Sequence, residues 1–462
     1  MLYPDIPELS KQQLSDLCEE FRRHNFINPE ISEKLGVKRG LRNSDGTGVL
    51  AGLTNICDVV GYDKDENGRI IPKDGCLIYR GIDLNDIVEE SIRTDRFMFE
   101  EVVWLLLFGS LPDEKTLKHF TNLIENHREL PEGFAESMII AAPSPNIMNK
   151  MARSVLAMYS YDSDAEDPSL ENILRQSMNL IAELPTMMVY AYITKLHVYE
   201  HGPLYFHYPV KGLSTAEHIL SIYRMDQKYT HEEARLLDFC LIVHADHGGG
   251  NNSTFADRVL SSTGTDTYSA IASYILALKG PKHGGANLKV MRQLDDIMAN
   301  VENIHDEKQI KDYLRKIIRK EAGDRSGLIY GIGHAVYTKS DPRAQILKQQ
   351  EKTLAYEKGY GDQYEVLCAI ERLAPIVFAE EKGQTKNVCA NVDLFSGLVY
   401  RILGISEDLF TPFFAIARVA GWCAHRIEEV EFANRIIRPA YRYIGEENKQ
   451  YIPLSRREKS ED

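Results

Sequence analysis

The sequence points to an all-α protein folded as two domains, and three observations carry that expectation. Apolar residues recur at helical spacing through most of the chain. No repeated strand–helix–strand unit, internal repeat or low-complexity linker interrupts them. At 462 residues the chain is also longer than one compact core usually serves. Hydrophobic residues at 44% and charged residues at 26% are ordinary for a globular protein.

The chain opens with MLYPDIPELSKQQLSDLCEEFRRHNF, a polar and acidic stretch. It has neither the apolar core of a secretory signal nor the acid-poor character of a transit peptide. No apolar run reaches the roughly 18 residues that span a bilayer, so no membrane segment is expected. Next, CDVVGYDKDENGRIIP sets β-branched residues on both sides of Asn67-Gly68, a short β-hairpin signal. The same stretch fits a calcium loop through Asp63, Asp65, Asn67, Gly68 and Asp74. Strand-like flanks, Pro72 within the loop and Asp in place of the usual final Glu favour a solvated hairpin.

FEEVVWLLLFGSLP from Phe99 reads as an apolar helix stopped by Gly109 and Pro112. Thr267 to Leu278 is a second such helix, ended by Gly280-Pro281. A third starts at Gly284, with Leu288, Met291, Leu294, Met298 and Val301 at helical spacing. Helical runs around Phe413 to Arg426 follow the Asp393 segment. Seven cysteines lie scattered without a CxxC pair, which indicates reduced thiols and a cytoplasmic setting. A net charge of −14 opposes nucleic-acid binding, so a site for anions needs a local concentration of Arg and His.

Four segments supply that concentration: LIVHADHGGGNNSTF with His244, His247 and Asn251; KGPKHGGAN with His283; YGIGHAVYTKSDPRAQIL with His334 and Arg343; and NVDLFSG with Asp393. Arg418 in AIAR and Arg438 in IIRP follow. Singly, each has a bland reading. His244 and His247 at i, i+3 could share a metal or a polar network, and zinc usually wants a third protein ligand nearby. A histidine between glycines can be a turn residue, and scattered arginines are most often solvated.

In combination, HADHxxxN, GPxHGGAN, GxGHxVY…DPRA and NVDxxSG occur in the order found in the citrate synthase family, and the chain resembles that family over most of its length. YRGIDLNDI near Tyr79, EEVVWLLLFGSLP and IIRPAYRYIG extend the likeness. The resemblance implies a helical fold of a large domain, residues 1–283 and 397–462, and a small domain, residues 284–396, closing over the substrate. It implies condensation of acetyl-CoA with oxaloacetate to citrate, without a metal or other cofactor. Asp393 would take a proton from the acetyl methyl group, and His283 would hydrogen-bond the thioester oxygen. His334 would polarise the oxaloacetate ketone. Arg343, Arg418 and Arg438 would hold the two carboxylates with His247, supported by His244 and Asn251.

A carboxylate removes a carbon-bound proton only if the enolate is stabilised as it forms, so the histidine partner is chemically required. His283 precedes the helix expected at Gly284, whose N-terminus would keep its ring neutral. Pro342 would stiffen the turn presenting Arg343. Coenzyme A would lie against Gly331, Ile332, Gly333 and Lys339; some family members carry Arg where Thr338-Lys339 stands. The family assembles as a homodimer or a hexamer of dimers, with the arginine matching Arg438 reaching the neighbouring subunit's site. Pro439 would end the helix before that arm. Two other functions fit the same residues: a 2-methylcitrate synthase using propionyl-CoA, and a catalytically silent dicarboxylate-binding homologue. A methylene is worth only about 1–3 kcal/mol in an apolar pocket, which leaves room for the first. Mere binding needs no carbon-acid base, which argues against the second.

Overall fold

Helices account for the architecture of the computed structural model, which describes residues 10–67, 69–383, 388–433, 435–445 and 449–457. Two short helices come first, α1 (Lys11–His24) and α2 (Pro29–Lys34). A three-stranded antiparallel sheet follows: β1 (Cys57–Lys64), β2 (Ile70–Tyr79) and β3 (Ile82–Asp83), in that order. The expected hairpin is therefore present, although its turn residue Gly68 lies outside the described residues.

The hairpin is most exposed toward its tip, although Asp58 near its base is exposed too. Its base turns inward, with Leu77 and Tyr79 fully buried. The register shifts between Val60 and Tyr62, and two glycines there press on a single loop. A Cβ on Gly61 would come within 2.6 Å of the Val336 carbonyl, and one on Gly75 within 2.2 Å of the Ser340 carbonyl. The sheet is thus a platform under residues 336–340. The carboxylates of the calcium-loop reading point to separate partners: Asp63 pairs with Lys73, Asp65 accepts from the Asn67 and Arg69 amides, and Asp74 faces Lys339.

The larger helical body contains α3 (Leu84–Thr94), α4 (Phe99–Phe108), α5 (Glu114–Asn126), α6 (Ile147–Met158), α7 (Leu170–Glu200), α8 (Thr215–Tyr223), α9 (His231–His244), α10 (Asn252–Ser261) and α11 (Thr267–Leu278). α4 ends as expected, at Gly109 with φ +83°, a conformation that glycine adopts without a side-chain penalty. α7 is buried along most of its 31 residues and forms the central rod of this body.

α12 (Ala286–Asn300), α13 (Glu307–Ile318), α14 (Pro342–Glu357), α15 (Gly361–Lys382) and α16 (Asp393–Ile402) follow, and α17 (Phe410–Phe432) returns to lie against α4, α7, α9, α10 and α11. Three local expectations are corrected. α12 begins at Ala286, because residues 281–285 form a turn in which Gly284 closes against the Leu278 carbonyl. Pro342 is the first residue of α14, where its fixed φ and missing N–H suit a helix start, so Arg343 is presented from a helix. Pro439 ends no helix: α17 stops at Phe432, and the described residues after it are mostly exposed and include no α-helix.

Candidate active site

The motif residues sit at helix ends. His244 closes α9, Asn251 caps α10, His283 lies just before α12, Arg343 stands second in α14 and Asp393 opens α16. Such ends leave backbone N–H groups without helical partners, and helix N-termini carry positive potential suited to anions. α17 supplies Arg418 from a fully buried position in its middle.

The HADH segment is held from two sides. The Tyr79 hydroxyl bonds the Ile242 and Asp246 carbonyls at 3.1 and 3.2 Å. Asp246 Oδ2 accepts from the Gly248 amide at 3.0 Å and faces His425 Nε2 at 3.1 Å. Gly421 on α17 makes this approach possible, since a Cβ there would lie 2.3 Å from Asp246 Oδ1. His244 Nδ1 donates to the Cys240 carbonyl at 2.7 Å. Arg418 Nε donates to the His244 carbonyl at 2.6 Å, and its guanidinium lies 4.6 Å from the Phe414 ring centre.

What remains on these residues is unpaired. Among the described residues, both Arg418 Nη atoms, His244 Nε2 and His247 Nε2 are buried without a hydrogen-bond partner. Buried donors are normally paired, and a guanidinium suits a carboxylate in bidentate geometry. Burial lowers the Arg418 pKa to about 10, with the Asp246 charge opposing that fall. His244 falls to about 3 through burial. His247 is held well below its usual range, first by burial and then by Arg343.

Facing them is the His334 loop. His334 Nδ1 accepts from the Val336 and Tyr337 amides at 3.1 and 3.0 Å, so the neutral ring carries its proton on Nε2. Burial, then the Arg343 charge, lowers its pKa to about 4. The ring stacks on Tyr337 at 4.6 Å and stands edge-on to His247 at 5.1 Å. Arg343 lies 5.8 Å from the Tyr337 ring centre and is gripped by buried Asp341 through Nε at 3.0 Å and Nη2 at 2.7 Å.

Asp393 is joined to this loop through backbone. The Gly333 amide donates to the Cys389 carbonyl at 2.7 Å and the Asn391 amide to the Gly331 carbonyl at 2.9 Å. Asn391 Nδ2 donates to the Gly333 carbonyl at 2.8 Å, while its Oδ1 receives the Asp393 amide at 3.0 Å. Gly331 has φ +80°, and a Cβ there would meet Leu394 at 2.9 Å. Gly331, Ile332 and Gly333 thus form the joint between the His334 and Asp393 loops. The Asp393 carboxyl receives no hydrogen bond from the described residues. Burial pushes its pKa up to about 6, against Arg343 and Arg418.

His283 Nε2 lies 3.2 Å from Ser253 Oγ, which also receives Trp422 Nε1–H at 3.3 Å and lies 2.9 Å from Asn251 Oδ1. Asn251 Oδ1 can only accept, so the serine's one hydrogen is shared between it and His283 Nε2; when it goes to Nε2, the ring proton sits on Nδ1. Burial, then Arg418, lowers the His283 pKa to about 4. The neutral ring is as expected, with burial rather than a helix N-terminus as its leading cause. Phe414 touches the rings of both His244 and His283, with centres 4.6 and 6.5 Å away.

His244, His247, His283, His334, Arg343, Asp393 and Arg418 are therefore linked by direct contacts or mutual charge, with Asn251 behind them as cap and serine partner. Arg438 is not brought in: it is exposed on the C-terminal arm and makes no hydrogen bond or ion pair among the described residues. Lys339 is exposed and pairs with Asp74 at 3.4 Å. No cluster of three or more His, Cys, Asp or Glu suited to a metal occurs among the described residues. Sequence reading missed Tyr79, Ser253, Tyr337, Asp341, Asn391 and Phe414. Asp341 and Asn391 stood inside quoted motifs, but tertiary contacts define their roles.

The family model described as citrate synthase, C-terminal domain, matches residues 40–440. A citrate synthase from Synechocystis is 35% identical, covering 85% of this chain and 91% of that protein. One from Haloferax volcanii is 34% identical, covering 83% and 93%. Among solved structures, citrate synthase from Pyrobaculum aerophilum superposes with TM-score 0.72 at 31% identity, covering 88% of this chain and 94% of that one. The ternary complex of Thermoplasma acidophilum citrate synthase with carboxymethyl coenzyme A and oxaloacetate gives TM-score 0.74 at 27% identity, covering 91% and 99%.

Proposed function

The chain belongs to the citrate synthase family, and from that premise we propose that it condenses acetyl-CoA with oxaloacetate and water to citrate and coenzyme A. The observation that carries this reading is the buried Arg418 guanidinium, whose two Nη atoms have no partner among the described residues, beside the unpartnered His247 Nε2. Arg343, held by Asp341, keeps Nη1 free of that grip. Two arginines suit the two carboxylates of oxaloacetate, and they supply the positive charge that the reaction needs.

Asp393 takes the methyl proton of acetyl-CoA. As the enolate forms, His283 donates Nδ1–H to the thioester oxygen. The enol carbon attacks the oxaloacetate ketone, whose developing alkoxide receives the Nε2 proton of His334. Water then hydrolyses the citryl thioester. Both histidines work as neutral donors, which their lowered pKa values permit at neutral pH. The reaction assigns no step to a metal or organic cofactor.

Residues 284–396 form the small domain, and 1–283 with 397–462 form the large one. Packing of α12 on α16 and of α13 on α15 supports this division. Closure would exclude water from the thioester. Coenzyme A lies toward Gly331–Gly333 and Lys339; with the glycine backbone engaged in the loop joint, Lys339 is the residue suited to a phosphate. The protein works in the cytoplasm as a homodimer, or as a hexamer of dimers, with Arg438 serving the partner's site. Exposed Ile436, Tyr441 and Tyr443 on the same arm support a partner surface.

Calorimetry with oxaloacetate tests the anion cradle. The unmodified protein should bind it, and Arg418→Met should weaken binding by at least about a hundredfold, the loss expected for a buried charge-assisted pair. Equal affinity for both proteins would remove Arg418 from the reading.

A further inference from the structure

Asp341 touches neither substrate nor reacting atoms in the mechanism above, yet it is fully buried among them. Its Oδ1 accepts from the Arg343 amide and from Arg343 Nε, both at 3.0 Å. Its Oδ2 accepts from Arg343 Nη2 at 2.7 Å and from the Val392 amide at 3.2 Å. Three of these donors belong to the arginine that would hold oxaloacetate, and the fourth belongs to the residue preceding Asp393. We infer that Asp341 is a positioning residue that couples oxaloacetate binding to the base, by orienting Arg343 with the same carboxylate that fixes the Val392–Asp393 peptide. The inference rests on the oxaloacetate reading above.

Charge gives the coupling a direction. The groups facing Asp393 are Arg343 on α14, Asp341 at the start of that helix, Arg418 on α17 and Tyr400 on α16 itself. Arg343 and Arg418 favour the ionised, weaker base, while Asp341 favours a stronger one. Oxaloacetate would neutralise the two arginines and leave Asp341 unchanged. Asp393 therefore gains basicity when the dicarboxylate arrives, and acetyl-CoA bound without it meets a weaker base.

The test is Asp341→Asn in the full-length protein, with Asp341→Ser beside it. Serine keeps a helix cap without charge and sets no amide N–H against Val392. The assays are KM for oxaloacetate, and kcat against pH at saturating oxaloacetate, with circular dichroism confirming the fold. A variant that folds should raise KM about tenfold and lower kcat, and the acid limb should move down by about one pH unit. Lost thermal stability with KM and acid limb unmoved would make Asp341 merely structural and overturn the inference, as would failure of both variants to fold. An unmodified protein that performs no condensation would instead sink the underlying reading.

Discussion

Asp393 faces the hardest chemical demand, because a carboxylate is far weaker than the enolate it must generate. The site answers by drying the carboxyl, which raises its pKa to about 6. Raised means protonated below that value, and oxaloacetate, by offsetting Arg343 and Arg418, raises it further, so kcat should fall as pH drops through a point at or above about 6 and level off beyond it; a pH–rate profile checks this. Asp393→Asn should abolish condensation, by at least about a thousandfold, and leave oxaloacetate affinity at the parent level by calorimetry. Lost affinity alongside unchanged turnover would reverse the assigned roles. Ser253→Ala removes the group that can fix the His283 tautomer. It should lower kcat about ten- to a hundredfold without altering oxaloacetate binding, whereas unchanged kcat would detach Ser253 from the mechanism.

The secondary-structure elements explain why the motifs have the spacing they do. Each places a polar residue at a helix end, and the glycines permit close crossings behind it. Gly331 is the sharpest case, since its φ of +80° and the 2.9 Å approach of Leu394 leave no room for a side chain. Gly331→Ala should cost about 1–3 kcal/mol in denaturant unfolding and lower kcat by disturbing the joint between His334 and Asp393. Unchanged stability and rate would show that the joint tolerates a Cβ. Helices from Phe99 and Thr267 were legible because apolar periodicity and Gly-Pro stops are local signals. His283, His334 and Asp393 could be singled out because they stand in motifs with a known order, and the fold brings them into one cluster. The hairpin's role was not legible. Its strand pattern shows in sequence, but Gly61 and Gly75 pressing on residues 336–340 are contacts across more than 250 residues. Asp341 and Ser253 escaped notice for the same reason: an aspartate before proline or a serine after asparagine carries no chemistry until the fold supplies Arg343, Val392 or His283.

Across the whole molecule, the open question of assembly meets the chemistry at Arg438. The residue lies on an exposed arm after α17, apart from the cluster its own chain builds. A shared site predicts that Arg438→Leu and His334→Ala are each nearly inactive as homodimers. Co-expressed, verified heterodimers would place both lesions in one site and regain up to half the parent activity per dimer. No recovery, with both parents folded and dimeric, would confine each site to one chain. The proposed reaction itself is tested most directly by coenzyme A thiol release from acetyl-CoA, measured with and without oxaloacetate and repeated with propionyl-CoA. Release should depend on oxaloacetate and run faster with acetyl-CoA. Release that ignores oxaloacetate, favours propionyl-CoA or never occurs would contradict it.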